Sequence, residues 1–269
     1  MIEIVGKFNT AKVYTDILED AAYKQILNLM NQKFAEGSHF AIMPDCHAGT
    51  GCVIGLTMKI VDRVVPNLVG VDIGCGMLVM KVSKDCILDL PKFDKVWHNE
   101  IPSGMNHRTK KHRFTERVAL DELIAPVNAE KLMLSIGTLG SGNHFGEIDV
   151  DSDGNKYIVI HSGSRHLGIE VCNFYQKEAI KYHKNQRQTK QEVIERLKAQ
   201  GRQSEIETVL KANQAAKCPI PDELAYLEGE LLQNYLHDMK IAQEFAWWNR
   251  EAMMDVIIDC MGIKSKSDW

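Results

Sequence analysis

The sequence has no apolar run approaching the ~20 residues that a membrane-spanning helix requires. It also lacks the apolar N-terminal segment of a secretory leader. Its seven cysteines (46, 52, 75, 86, 172, 218 and 260) have no paired spacing and leave one over. That pattern excludes a disulfide framework and leads us to expect a reducing cytoplasm. With a net charge of −4 over 269 residues, a globally basic nucleic-acid binder is excluded; RNA or DNA would have to meet a local basic surface. There is no internal repeat and no low-complexity linker. No G-x-G-x-x-G stands between a strand and a helix, which removes a dinucleotide fingerprint. What remains is an ordinary globular composition, 45% hydrophobic and 25% charged, enough for one large domain or two smaller ones. Ten histidines are a modest pointer to metal chemistry.

The most distinctive stretch is Val69-Gly70-Val71-Asp72-Ile73-Gly74-Cys75-Gly76-Met77. Residues three apart on a regular strand face opposite ways, so Asp72 and Cys75 converge only if the chain bends between them. Gly74 and Gly76 permit that bend. The apolar run Met77 to Met80 then reads as the strand that anchors it. A carboxylate and a thiol aimed at one point suit a metal. The same residues also suit a glycine-rich turn with a buried thiol.

In chain order, Met1 to Val13 reads as a short β segment. Thr15 or Asp16 can cap a helix to about Gln32. Phe40 to Met43 reads as a strand stopped by Pro44, followed by a glycine-punctuated loop to Cys52. If extended, that loop carries Asp45 and His47 on one face. A strand follows over Val53 to Ile60, and Pro66-Asn67 turns the chain. The pattern weakens from Leu90 to Glu130, where residues 106–113 (NHRTKKHR) form the one dense basic run. A solvated loop and a phosphate-backbone contact are both open for it.

Residues 134–147 form a second glycine-rich element feeding a strand, and Asp151-Ser152-Asp153-Gly154 signals a hairpin. The returning strand Lys156 to Ile160 delivers His161-Ser162-Gly163-Ser164-Arg165. A four-residue loop at 151–154 would set His144 directly opposite His161, Cβ atoms roughly 5 Å apart. Helices are expected from about Gly168 to Gln200, and as a pair from Glu223 to about Cys260. Ala242, Phe245, Ala246, Trp247, Asn249, Met253 and Met254 make a core-facing stripe. The polar piece 186–214 reads as an exposed arm, and the end from Lys264 has no element of its own.

Asp72, Cys75, His144 and His161 offer one O, one S and two N donors. Thiolate and imidazole favour zinc or another first-row metal, while carboxylate pulls toward Mn²⁺. One thiolate can bridge two ions, and two ions suit phosphoryl transfer. Asn143 and Arg165 are donors suited to phosphate oxygens. A Cys75–His nucleophilic pair is the weaker reading, because a nearby Asp72 raises the thiol pKa unless a cation intervenes.

Four motifs in order, MPDCHAGTG (43–51), VGVDIGCGM (69–77), GTLGSGNHF (137–145) and HSGSR (161–165), resemble the RtcB-type RNA ligases. Tyr235 to Met254 is similar as well. The resemblance implies an α+β fold, with mixed and antiparallel sheets whose glycine-rich strand ends surround a metal cleft. Long helices fill the C-terminal half. It implies a single domain over 1–269 with a helical arm at about 168–260, C-terminally truncated relative to the family. It further implies a GTP- and Mn²⁺-dependent ligase joining RNA 2′,3′-cyclic phosphate or 3′-phosphate ends to 5′-hydroxyl ends, in tRNA splicing or RNA repair. Carried over by motif, Asp72, Cys75, His144 and His161 are metal ligands, with Cys75 shared by two ions. Asn143 and Glu147 are nucleotide contacts, and Arg165 binds RNA or phosphate. Asp45 and His47 form a D-x-H motif along the same cleft.

The family's later motifs, a further metal histidine, a basic nucleotide-binding segment and the guanylylated histidine, do not occur before Trp269. The expectation is therefore a ligase portion carrying most of the metal site. Alternatives are a metal- or RNA-binding remnant, or a Mn²⁺ or Zn²⁺ phosphohydrolase.

Overall fold

A computed structural model describes residues 1–83, 86–186, 190–215 and 220–263. In chain order it contains β1 (Ile2–Val5), β2 (Thr10–Val13), α1 (Asp20–Met30), β3 (Phe40–His47), β4 (Ile54–Met58), β5 (Arg63–Val64) and α2 (Pro66–Val69). There follow β6 (Gly76–Val82), α3 (Leu90–Glu100), α4 (Ala129–Met133), β7 (Phe145–Val150) and β8 (Lys156–Ser162). The remainder is α5 (His166–Gln186), α6 (Lys190–Ala199), α7 (Ile206–Ala215), β9 (Leu227–Glu228) and α8 (Gly229–Met261). The fold is α+β, with one mixed and two antiparallel sheets. Contacts divide the chain into two units, residues 1–69 with 175–233 and residues 70–174 with 234–269. Among the described residues no helix is long and apolar enough to cross a membrane. The polar end 264–269 and Cys218 lie outside the described residues.

The first unit is a four-stranded sheet ordered β1-β2-β3-β4. The β2–β3 pair is parallel and is bridged in sequence by α1, whose Ala22, Ile26, Leu29 and Met30 are buried with Ala11, Val13, Phe40 and Ile42. That spacing is the helical one. The helix starts four residues later than the expected cap, because Thr15 Oγ1 instead accepts from Ile17 N–H at 3.3 Å. Such a local side-chain turn competes with the helix. Pro44 does not stop β3: the ladder to β4 shifts register between Ile42 and His47, so the missing N–H falls where pairing is interrupted. Pro66 opens the short helix α2 in place of a turn, as its fixed φ allows. Asp45 and His47 are exposed, while Cys46 between them packs on the core, so the two polar side chains do share a face. Val193 and Leu197, four residues apart on α6, are buried.

The second unit holds a three-stranded antiparallel sheet, β6-β8-β7. Leu78, Met80, Val82, Ile158 and Ile160 are buried with Phe93, Met253, Met254 and Ile257. The alternate residues Met77 and Val79 are about half exposed. α3 was not foreseen in the weak stretch after Leu90. It is amphipathic, with Asp89 accepting from Lys92 N–H at 3.0 Å and a proline in its first turn. The expected helix pair after Glu223 is one continuous 33-residue helix, α8. Its Ala242, Phe245, Ala246, Asn249, Met253 and Met254 are buried as expected, but Trp247 is 48% exposed.

The β7–β8 hairpin differs from the expected register. Phe145, not His144, pairs with His161, and Val150 pairs with Lys156, leaving a five-residue loop. Asp151 builds that loop: its carboxylate accepts from Asp153 N, Asn155 N, Asn155 Nδ2 and Tyr157 Oη at 2.7–3.0 Å. These bonds, led by that from the Asn155 side chain, hold its pKa down to about 2. A depressed carboxylate pKa adds stability above the unfolded value that is lost as pH falls through the folded one. Asp151→Ala is therefore expected to lower Tm near neutral pH. The gap to the wild type should narrow as pH falls from about 5 to about 2, as thermal melts across that range will show.

Candidate metal centre

The bend after residue 72 is closed by Cys75 N–H donating to the Asp72 carbonyl at 3.1 Å, with Gly74 at φ +75°. A Cβ on Gly74 would also meet Gln243 Cα at 2.9 Å, so glycine is required twice over. Arg250 on α8 holds the bend from below. Its Nη1 donates to the Gly74 carbonyl at 2.8 Å and to the Ser162 carbonyl at 2.7 Å, tying the bend to the end of β8. The preceding residue, Asn249, is fully buried. Its Oδ1 accepts from Gly137 N at 2.8 Å and Thr138 N at 3.0 Å. Its Nδ2 donates to Ser162 Oγ at 3.1 Å and Gly163 O at 3.2 Å. Two adjacent α8 side chains thus fix all three glycine-rich segments.

The four expected ligands converge. Cys75 Sγ lies 3.2 Å from His161 Nε2 and 3.7 Å from His144 Nε2. His144 Nε2 lies 2.9 Å from Asp72 Oδ2. One ligand atom each from Cys75, His144 and His161 falls within 4.8 Å of the others. The convergence does not come from the register argument. His144 sits just before β7, in the turn containing Gly140 and Gly142, and still brings its ring centroid to 5.6 Å from that of His161. His161 in turn stacks on Phe145 at 5.3 Å, interplanar angle 10°.

These donors fit a cation. His144 Nδ1 is 2.9 Å from the Leu139 carbonyl, which can only accept, so Nδ1 carries the proton. In the neutral ring Nε2 then presents a lone pair to the Asp72 carboxylate. Two acceptors at that distance require a positive charge between them, either a proton or a metal. A ring N–H fixed by a carbonyl is also the usual support of a metal-bound imidazole. Gly163 makes room for the carboxylate: a Cβ there would lie 2.0 Å from Asp72 Oδ1.

Partial burial, then Asp72, push the Cys75 thiol up to about 12. Burial opposes ionisation of Asp72 too, but hydrogen bonds from His144 and Cys75 outweigh it and hold its pKa below the usual carboxylate value. Burial and then His144 lower the pKa of His161, favouring the neutral, ligating ring. A divalent cation resolves the conflict between thiol and carboxylate by displacing the thiol proton.

Beside Asp72 and His144 lies a cavity of about 210 Å³, also lined by His107, Lys131, Asn143 and Arg165. Arg165 is the one described non-glycine residue with positive φ, +57°. It is held by Nε donating to Thr138 Oγ1 at 2.9 Å and Nη2 donating to Gly104 O at 2.8 Å. His107 Nδ1 is buried without a partner. Burial and then the positive Lys131, Arg165 and His166 hold its pKa down. An anion is what this cationic lining lacks. Asn143 is exposed at the cavity, whereas Glu147 is exposed on β7 and is not among its lining residues. Asp45 and His47 belong to the first unit, where His47 Nδ1 donates to the Asp45 carbonyl at 2.9 Å. Sequence reasoning assigned no role to Lys131, His107, Asn249 or Arg250. For Asn249 there was a signal, a polar residue inside an otherwise apolar helical stripe.

A family model described as tRNA-splicing ligase RtcB matches residues 25–131 and 121–267. The RNA-splicing ligase RtcB of Escherichia coli K12 is 29% identical over 266 residues, covering 91% of this chain and 58% of that protein. The tRNA-splicing ligase RtcB of Methanococcus maripaludis is 25% identical, covering 93% of this chain and 57% of that protein. That of Aeropyrum pernix is 25% identical, covering 85% and 54%. The chain spans a little over half the length of these relatives.

Two outcomes are expected. Asn249→Ala leaves two buried N–H groups unpaired and should cost about 2–4 kcal/mol in urea unfolding, with weakened metal uptake. Metal binding near neutral pH should release the Cys75 proton and tighten as pH rises. Calorimetry in buffers of different ionisation enthalpy measures that release.

Proposed function

Because this chain belongs to the RtcB family, we propose that it carries the metal- and phosphate-binding part of an RNA ligase. The reaction is the joining of 2′,3′-cyclic phosphate or 3′-phosphate ends to 5′-hydroxyl ends, with Mn²⁺ and GTP, in tRNA splicing or RNA repair. The observation that carries this reading is the meeting of Asp72, Cys75, His144 and His161 beside a cationic cavity. In it, Asp72, Cys75, His144 and His161 hold manganese, two ions sharing the Cys75 thiolate, with Zn²⁺ as the other metal the donors suit. Bound there, the metal supplies Lewis-acid stabilisation of phosphate oxygens.

The remaining steps belong to side chains. Arg165 and Lys131 neutralise the terminal phosphate, and the two hydrogen bonds that hold the Arg165 guanidinium orient it at the cavity wall. His107 Nδ1 gives or takes a hydrogen bond at the same anion, and Asn143 donates from the mouth of the cavity. Asn143 and Glu147 contact the guanine nucleotide, and Asp45 and His47 line the path to the reacting ends. We place the protein in a reducing cytoplasm, which suits the six free cysteines among the described residues.

Cys75→Ala is expected to abolish stoichiometric Mn²⁺ binding, read by metal analysis after gel filtration. With Mn²⁺, the wild-type chain should bind RNA ending in a 3′-phosphate about tenfold more tightly than RNA ending in a 3′-hydroxyl, a difference of about 1.4 kcal/mol. Cys75→Ala should lose that preference. Unchanged metal content in the variant, or equal binding of the two RNAs by the wild type, would overturn the reading. Opening of a cyclic phosphate without ligation by a longer relative-length chain would favour hydrolysis.

A further inference from the structure

The basic run that the metal centre leaves unused forms a second surface. Residues 106–117 carry five cations (Arg108, Lys110, Lys111, Arg113 and Arg117) against one acid, Glu116, in a chain of net charge −4. Two rings interleave with them. The Arg113 guanidinium lies 5.2 Å from the centroid of Phe114, and that of Arg117 lies 5.2 Å from Phe114 and 4.6 Å from Trp248. Phe114 and Trp248 are 5.3 Å apart, so arginine and aromatic faces alternate in one ladder.

The ladder is rigidly mounted. His112 Nδ1 accepts from Phe114 N–H at 3.2 Å, and its Nε2 meets Asp255 on α8 at 3.2 Å. Arg113 also pairs with Asp255, so that carboxylate is answered from within. Lys110, Lys111 and Arg117 have no carboxylate partner among the described residues. All three are exposed. Lys111 and Arg113 border a cavity of about 480 Å³ in which Glu116 and Asp121 are the acids.

The position of this cavity relates it to the metal centre. Ala129 and Met133, four residues apart on α4, line it, while Lys131 between them lines the phosphate cavity. The two hollows therefore lie on opposite faces of one helix about 10 Å across. The basic run passes both, with His107 at one and Lys111 at the other.

We propose that Lys110, Lys111, Arg113, Phe114, Arg117 and Trp248 form a binding strip for single-stranded RNA, outside the metal centre. The lysines take backbone phosphates, and unstacked bases lie on the arginine–aromatic ladder. An acidic peptide would match the cations but leave the ladder without a partner. The direction of the strand, from the strip toward the phosphate cavity, rests on the function proposed above. The binding itself does not.

The test uses the full chain in EDTA with a labelled single-stranded RNA of about twelve nucleotides ending in a 3′-hydroxyl, followed by fluorescence anisotropy across a salt series. The combined variant Lys110→Ala, Lys111→Ala, Arg117→Ala should bind about tenfold more weakly at low salt. It should also flatten the log–log salt slope by about 2, near 0.7 for each lost phosphate contact. Phe114→Leu should weaken RNA binding while leaving binding of inorganic polyphosphate unchanged, which also reports that the variant is folded. An unchanged salt slope in the combined variant would overturn the strip. So would equal effects of Phe114→Leu on RNA and polyphosphate, or competition by polyglutamate as strong as by RNA. Cys75→Ala should leave this metal-free binding intact. A wild type that binds no RNA in EDTA yet keeps a Mn²⁺-dependent preference for 3′-phosphate defeats the strip alone. The converse result defeats the ligase reading alone.

Discussion

His144 stands between two acceptors, the Leu139 carbonyl on one ring nitrogen and the Asp72 carboxylate on the other, each at 2.9 Å. A neutral imidazole has one N–H and satisfies one of them. The rest of the site follows from that shortage of positive charge. Cys75 and His161 complete the circle at 3.2 Å from each other, and no lysine or arginine points into the middle of it. Arg250, the nearest guanidinium below, spends its Nη1 on the Gly74 and Ser162 carbonyls. Its role is to hold the backbone, and the charge at the centre must come from a bound cation.

The fold of the second unit can be understood as the means of bringing three flexible segments to one point. Glycines at 74 and 163 are needed for close approach, but glycine also makes a chain easy to disorder. The compensation comes from α8, a long helix whose buried face presents Asn249 and Arg250 within a row of apolar residues. Their six hydrogen bonds to the three segments replace the rigidity that side chains would give. The sheet contributes a stiff base: β8 is paired on both sides, so His161 emerges from its central strand.

Local chemistry made part of this legible in the sequence. The glycine-flanked spacing of Asp72 and Cys75 implied the bend, and the apolar run after it implied β6. The D-x-H spacing implied that Asp45 and His47 share a face if extended, and β3 does extend through Pro44 because a register shift spares the missing N–H. The hairpin was legible but its register was not. Asn155 joins the loop through Asp151, and one added residue moves every cross-strand partner. The two histidines still meet because His144 lies in a glycine turn, where strand parity does not apply. α3 was missed because its apolar positions are sparse, although Asp89 and Pro91 mark its start. Lys131 and His107 were beyond reach for a different reason: their membership of the phosphate cavity depends on tertiary packing across some 24 residues of irregular chain.

The most direct test is X-ray absorption at the edge of a metal bound to the full-length chain, with zinc as the probe. The geometry predicts a first shell mixing one sulfur at about 2.3 Å with imidazole nitrogens and a carboxylate oxygen at about 2.0–2.2 Å, and with the outer-ring scattering of two histidines. A shell of oxygen and nitrogen alone, without sulfur and without imidazole scattering, would contradict it.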